Sequence, residues 1–236
     1  MPKKILLGAA FNQGGTFPTI AVVNQATVNL GVPLAKLVPA LQKFLDEHFV
    51  PIWGYPAKLV VYDNVKKIPP NQWPFLFLDD ADAANALGYH DLTKNGQPVS
   101  KIFVKTTLAD KQLVSVTACH ELAEMLIDPG AQLWAQRNDG SFVAYEMSDP
   151  VEEQTFDIDG IAMSNFVYPS YFEEFHKPKS VQFDHLGKLS KPFEIAKGGY
   201  LIVSNKNKVT EVFGSKTKAQ RFAREVRTQH RSEYRK

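Results

Sequence analysis

The pattern of apolar and polar positions predicts an amphipathic helix near the start of the chain, at residues 33–49. Its apolar side chains follow one another mainly at three- and four-residue steps: Leu34, Leu37, Leu41, Phe44 and Leu45. Positions with this spacing lie on one face of an α-helix, which we expect to pack against a core. Pro33 suits the first turn of this helix, and Pro39 is expected to kink it.

Short runs of β-branched and aromatic residues, bounded by Gly, Pro, Asn or Asp, predict a set of strands. They lie at residues 5–11, 20–24, 57–62, 73–79, 102–105, 141–145 and 161–164. Residues 88–91 and 94–98 carry turn signals and are expected to form loops. The order of helices and strands indicates an α+β fold.

A second helix is expected at residues 113–127, because this segment contains neither Gly nor Pro. Asp110 is available as its N-cap, and the Asp-Pro-Gly sequence at residues 128–130 forms an abrupt stop. This helix carries the pentapeptide His120-Glu-Leu-Ala-Glu124. The chemistry of the chain is therefore expected on a helix rather than on a loop.

The pentapeptide has the spacing of a metal site. Side chains four residues apart on a helix lie on the same face, about 5 to 6 Å apart between Cβ atoms, so that His120 and Glu124 can bind one ion. Glu121 is rotated around the helix and can act on a water molecule, as in the His-Glu-x-x-His zinc proteases. Glu124 replaces the second histidine of that motif, and its negative charge should make zinc a weaker electrophile and favour other divalent ions that prefer oxygen.

A third metal ligand is available downstream, where Glu146 and Asp149 lie three residues apart. Open catalytic zinc sites use three protein ligands and leave the fourth position to water, so that either carboxylate completes the set. The other would then hold His120 through its second ring nitrogen. The alternative is a helix without metal, in which His120 is a core or boundary residue and both glutamates of the pentapeptide are solvated.

The composition is that of an ordinary globular protein, with 44% hydrophobic and 22% charged residues in a chain of 236. This length fits one domain, which we place at residues 1–204. No apolar run approaches the ~20 residues needed to span a bilayer, and we expect a cytoplasmic protein without membrane contact. Cys119 is the only cysteine, which excludes an internal disulfide and a thiolate zinc cluster.

The net charge of +2 conceals a basic C-terminal arm at residues 205–236, with ten Lys and Arg against three Asp and Glu. The remainder is mildly acidic, with seventeen against twenty-two. The arm is either a solvated tail, which is the commoner case, or a basic amphipathic helix at residues 215–236 that contacts nucleic acid or an acidic protein.

The helix motif and its downstream partners resemble the zincin metalloproteases. The likeness is to a subgroup of bacterial and phage-encoded proteins in which glutamate takes the place of the second histidine. It rests on residues 120–129, 144–152, 159–160 and 164–169, and reaches back to 88–91 and 96–103. The resemblance implies a mixed sheet with a backing helix, a last strand that borders the cleft, and an active-site helix below it.

By position, this resemblance makes His120 and Glu124 ligands of a divalent ion, with zinc expected, and Glu121 the general base. The third ligand stays open between Glu146, Asp149 and Asp128. In the gluzincin branch it is a glutamate on a later helix, whereas the surroundings of Glu146 predict a strand or loop.

Other side chains carry weaker signals. His90 could polarise a substrate carbonyl or replace a ligand, or it could be a loop histidine without a catalytic role. His176 and His185 lack ligand spacing, and Cys119 is expected to be a small buried packing residue. The aromatic residues at 168–175 are expected in the core rather than in a cleft.

These observations predict a metal-dependent peptide hydrolase that acts on a peptide or protein substrate, with Glu121 as the proton carrier. The alternative is a catalytically silent zincin-like structural or assembly protein of a phage particle, whose partners are virion proteins. A third interpretation makes the basic arm a nucleic-acid-binding element. The fold alone does not distinguish these three functions, because function depends on the residues of the site and not on the scaffold.

Overall fold

The computed structural model describes residues 17–82, 86–206 and 208–216. Within these ranges the chain has an α+β fold with a five-stranded mixed sheet, a four-stranded sheet and a two-stranded hairpin. The strand predicted at residues 5–11 and the part of the basic arm beyond residue 216 lie outside the described residues. None of the helices in the described ranges has the length and apolar character needed to cross a membrane.

The five-stranded sheet contains the first strands of the described chain: β1 (Thr19–Asn24), β2 (Lys58–Tyr62), β3 (Trp73–Leu78), β4 (Gly88–Leu92) and β5 (Pro98–Phe103). Their spatial order is β2-β1-β3-β5-β4. All neighbours are parallel except β4, which runs antiparallel to β5 at one edge. Residues 20–23 of β1 are fully buried, as expected for an apolar central strand covered on both faces.

The predicted helix at residues 33–49 is confirmed and continues four residues further. It consists of α1 (Leu34–Lys43), a π-helical stretch (Phe44–Phe49) and α2 (Val50–Trp53). Gly54 ends this segment at φ 73°, a left-handed conformation that glycine adopts without steric cost. The predicted apolar face is buried, with Leu37, Leu41, Phe44 and Leu45 inaccessible to solvent.

The loop predicted at residues 88–91 is wrong, because this segment forms the edge strand β4. Its pairing with β5 places His90 opposite Ser100 and Asp91 opposite Val99. Glycine and aspartate are both disfavoured in strands, so that the local sequence suggests a turn. Hydrogen bonding to β5 overrides that preference.

The strand predicted at residues 102–105 is displaced along the chain. β5 begins at Pro98 and ends at Phe103, and Val104 starts the short helix α3 (Val104–Ala109). The turn predicted at residues 94–98 lies between β4 and β5, where the Gly96 N–H donates to the Thr93 carbonyl at 2.8 Å. The turn thus fixes the register of the β4–β5 hairpin.

The described residues of the second half of the chain form six further strands. They are β6 (Trp134–Gln136), β7 (Phe142–Ala144), β8 (Thr155–Ile158), β9 (Ile161–Ser164), β10 (Tyr200–Asn205) and β11 (Lys208–Phe213). Four form a sheet of order β11-β10-β7-β6, and β8 pairs with β9. The strands predicted at residues 141–145 and 161–164 are found as β7 and β9. The first residues of the basic arm form β11, which pairs with β10 along its length.

The predicted helix at residues 113–127 is confirmed as α4 (Val114–Ile127), and every one of its residues is buried. It contacts β4, β5 and β9. Asp110 does not cap it, because Asp110 follows the end of α3 and the residue before α4 is Leu113. At the other end the Asp128 N–H donates to the Glu124 carbonyl at 2.8 Å, which agrees with the predicted stop.

Aromatic rings fill the core beneath the first helix. The Phe44 ring lies between 5.6 and 6.3 Å from the ring centroids of Phe49, Phe156 and Phe166. Of the aromatic stretch at residues 168–175, Tyr171 and Phe172 are buried as expected, and the Tyr171 hydroxyl donates to the Glu194 carbonyl at 2.9 Å. Phe175 is the exception, with 77% of its surface exposed.

A pair of histidines links this helical segment to a later loop. His48 Nδ1 lies 3.0 Å from His185 Nε2, and the Tyr168 hydroxyl lies 3.2 Å from His185 Nδ1. Burial lowers the pKa of both histidines below the ordinary 6.5. Glu47 opposes the shift of His48 and Asp184 that of His185, whereas Lys43 adds to the shift of His48.

The fold therefore favours the neutral form of the pair, and its contribution to stability is complete above the unfolded pKa of about 6.5. This contribution is lost as the pH falls through that value toward the lower folded pKa. Urea denaturation at about pH 7.5 and 5.5 should show a smaller loss of unfolding free energy in His185→Gln than in the wild type. Equal losses in the variant and the wild type would contradict the expectation.

Candidate metal centre

Three parts of the chain bring buried imidazoles and carboxylates together. β4 contributes one side chain, α4 three, and the segment after β7 two: His90; His120, Glu121 and Glu124; Glu146 and Asp149. Their exposed fractions lie between 0% and 8%. Groups that are buried this fully must be paired with one another or with a cation, because desolvation of an isolated charge is very unfavourable.

The first group joins His120, Glu124 and Asp149. His120 Nε2 lies 3.1 Å from Glu124 Oε2 and 3.1 Å from Asp149 Oδ1. One ligand atom from each residue lies within 4.8 Å of the other two. Four-coordinate zinc with bonds of about 2.0 to 2.1 Å separates its ligand atoms by about 3.4 Å, so that these contacts are close to those of a metal site.

The second group joins His90, Glu124 and Glu146. His90 Nδ1 lies 3.8 Å from Glu124 Oε2, and His90 Nε2 lies 3.7 Å from Glu146 Oε2. These three residues also present ligand atoms within 4.8 Å of one another. Glu124 therefore belongs to both groups, and its Oε1 accepts the Ser148 N–H at 3.1 Å.

Glu121, the predicted general base, lies beside the second group. Its Oε2 is 3.6 Å from His90 Nδ1, and 5% of its side chain is exposed. The backbone of Gly88 on β4 makes room for it, because a Cβ at residue 88 would stand 2.8 Å from Glu121 Cγ and 2.9 Å from the Lys101 carbonyl oxygen. Glycine at this position thus lets α4 approach the edge strand.

The three candidates for the third ligand occupy different places. Asp149 contacts His120, whereas Glu146 contacts His90. Asp128 belongs to neither group within the described chain. Its Oδ2 instead accepts the Leu133 N–H at 2.8 Å. Burial and then the charge of Glu146 raise the pKa of Asp128.

Burial and neighbouring charges shift the pKa values of His120 and Glu124 in the first group. Burial lowers the pKa of His120, but the carboxylates of Glu124, Asp149 and Glu121 outweigh it and hold this pKa well above its ordinary value. Burial raises the pKa of Glu124 to about 8, against the opposing charge of His120. Without a cation, protons thus compensate part of the buried negative charge.

The donor set fits a divalent transition metal. Each group offers one imidazole nitrogen and two carboxylate oxygens, which suits zinc and its neighbours better than calcium or magnesium. Asp149 Oδ2 is buried and has no hydrogen-bond partner among the described residues. An acceptor left in this state costs about 1 to 3 kcal/mol, and a cation would remove that cost. Burial keeps the pKa of the Cys119 thiol high, consistent with a packing role.

His90 is the site residue that sequence reasoning placed in a loop. Its burial, at 1% exposure, follows from the alternation of side chains on β4, where His90 faces the same side as its partner Ser100. The Ser100 hydroxyl in turn contacts α4 by donating to the Glu121 carbonyl at 3.2 Å. Had residues 88–92 been assigned to a strand, the alternation of its side chains would have indicated that His90 is buried.

The close contact at residue 88 yields a stability prediction. Gly88→Ala should lower the unfolding free energy by about 1 to 3 kcal/mol, as overpacking of a filled interior does. Urea denaturation measures the effect. In the Glu121→Ala background the cost should shrink, because the Cγ contact is gone while the contact with the Lys101 carbonyl persists.

Gly130→Ala is the matched control, since the three atoms nearest to its added Cβ would all belong to the Gln132 side chain, at 3.1 to 3.4 Å. It should change stability much less than Gly88→Ala. Equal effects of the two substitutions, or an unchanged cost in the Glu121→Ala background, would show that Gly88 does not make room for Glu121.

Comparison of the chain with protein-family models, with curated proteins and with solved structures gave no match. The function of the centre is therefore inferred from its residues and their geometry.

Proposed function

We propose that this protein is a zinc-dependent peptide hydrolase with a zincin-like fold. The observation that carries the proposal is the position of His120 Nε2, at 3.1 Å from both Glu124 Oε2 and Asp149 Oδ1. Two residues of the helical motif and one downstream carboxylate thus converge, as three protein ligands of a catalytic zinc do. In this proposal Asp149 is the third ligand of the zinc that His120 and Glu124 bind.

A bound zinc ion would polarise the scissile carbonyl and make water a better nucleophile. Glu121 adjoins His120 on α4 and would take the proton from water and pass it to the leaving amine. Its carboxylate is held between His90 and the backbone of Gly88. Such confinement fixes a proton carrier in one orientation, which general acid–base catalysis requires.

The arrangement of the sheet supports a peptide substrate. β4 is the last strand in the order β2-β1-β3-β5-β4, and among the described residues only β5 pairs with it. Its outer edge can then pair with an extended peptide. α4 contacts both β4 and β5. A peptide bound along β4 would therefore lie next to the strand that carries His90.

The burial of the centre favours a second candidate, a catalytically silent zincin-like protein of a phage particle. Side-chain exposure is 11% for His120, 5% for Glu121 and 1% for Asp149. A metal ion can reach such a centre, whereas a polypeptide needs a more open approach. Metal bound here would then stabilise the fold, as structural zinc does, and virion proteins would be the partners.

Glu121→Gln separates the two candidates. With zinc present, turnover of a fluorogenic peptide library should fall by about 10²- to 10⁴-fold, the usual contribution of a general base. The zinc content should not change, because Glu121 is not a ligand in this proposal. Turnover by continuous fluorescence and zinc by elemental analysis are the two measurements.

Glu47→Gln is the matched control, because this exposed glutamate undergoes the same chemical change far along the chain from the motif. It should retain both activity and zinc. A wild-type protein that binds zinc but cleaves nothing would favour the silent candidate, and equal cleavage by wild type and Glu121→Gln would rule out Glu121 as the base.

A further inference from the structure

We propose that the centre holds a second divalent cation, bound by His90, Glu124 and Glu146, and that Glu124 bridges the two ions. This inference rests on the proposed metal site at His120, Glu124 and Asp149, and extends it to a two-metal centre. The added site draws its histidine from the edge strand and not from the helical motif.

His90 has carboxylates near both of its ring nitrogens and presents a ligand atom within 4.8 Å of ligand atoms of Glu124 and Glu146. Its Nδ1 lies 3.6 Å from Glu121 Oε2 and its Nε2 lies 3.7 Å from Glu146 Oε2. Both ring nitrogens thus face carboxylates. When one nitrogen binds a cation, a carboxylate on the other side fixes the tautomer and the orientation of the ring.

Glu124 has the position of a bridging ligand. Its Oε2 is 3.1 Å from His120 Nε2 and 3.8 Å from His90 Nδ1, so that one carboxylate serves two histidines that come from different elements. It is inaccessible to solvent. A carboxylate in this position can contact two ions at once, which is how two-metal hydrolytic sites are built.

The charge of the region gives it room for more than one divalent ion, because bound cations would replace the protons that otherwise compensate the buried carboxylates. Five carboxyl groups are buried around the two imidazoles: Glu121, Glu124, Asp128, Glu146 and Asp149. Among the described residues no lysine or arginine is buried. With both imidazoles neutral, as metal ligands must be, one divalent ion leaves most of this negative charge in a region from which water is excluded. Two ions leave about one unit of it.

Each group supplies one nitrogen and two oxygens. This set suits zinc, and also manganese, which accepts oxygen-rich sites. Manganese therefore provides a spectroscopic probe of the same positions. Ions in two-metal sites lie about 3.5 to 4 Å apart, close enough for two Mn²⁺ ions to couple magnetically.

The experiment counts ions in the full chain after chelation and dialysis. Titration with Zn²⁺ or Mn²⁺, read by elemental analysis, should give two ions per wild-type chain and one in His90→Gln or Glu146→Gln. Asp149→Asn should also retain one. The electron paramagnetic resonance spectrum of the Mn²⁺ form should show a coupled pair in the wild type and a single-ion spectrum in His90→Gln.

His176→Gln is the control for surface histidines, since His176 lies 2.8 Å from Glu173 on a different part of the chain, and it should still bind two ions. Circular dichroism checks that each variant is folded. If His90→Gln is not folded, the electron paramagnetic resonance spectrum of the wild-type Mn²⁺ form decides whether two ions are bound. One ion that is kept by His90→Gln and lost by His120→Ala would overturn the second site alone. No bound ion in the wild type would overturn this inference and the proposed zinc enzyme together.

Discussion

The burial of the Glu124 carboxylate is the constraint on which the centre depends. A carboxylate removed from water carries a desolvation cost of several kcal/mol, which only nearby cationic or hydrogen-bonding groups can offset. Here the Ser148 N–H, His120 and His90 surround it. These three groups come from different parts of the chain. The negative charge of Glu124 is therefore compensated only when this region is folded.

The helix that carries Glu124 serves the core and the site at once. Every residue of α4 is buried, and it contacts the sheet and the β8–β9 hairpin. Apolar residues such as Leu122 and Met125 fill the core. On the same helix His120 contacts Asp149, while Glu121 and Glu124 face His90. Because packing fixes the helix on both sides, the candidate ligand atoms are held in place, which would lower the entropy lost on binding an ion.

The edge strand and the loop after β7 complete the centre from opposite directions. Gly88 allows the close approach of Glu121, and the next residue but one, His90, enters between the carboxylates. The 3₁₀ turn at Asp149–Val151 aims Asp149 at His120. A site assembled from separate elements is sensitive to their relative positions, so that substitutions at the contacts are expected to affect both the stability of the fold and the geometry of the site.

The sequence by itself determined the two helices and the pairing of His120 with Glu124, because both depend on spacing within one helix. It also excluded a thiolate zinc cluster, since Cys119 is the only cysteine. Only the tertiary structure decided which downstream carboxylate meets His120 and that His90 joins the site. Those contacts depend on strand register and on the approach of segments that are distant in sequence. Gly88 and Asp91 locally favour a turn, so that the sequence does not predict a strand there. Pairing with β5 overrides this local preference.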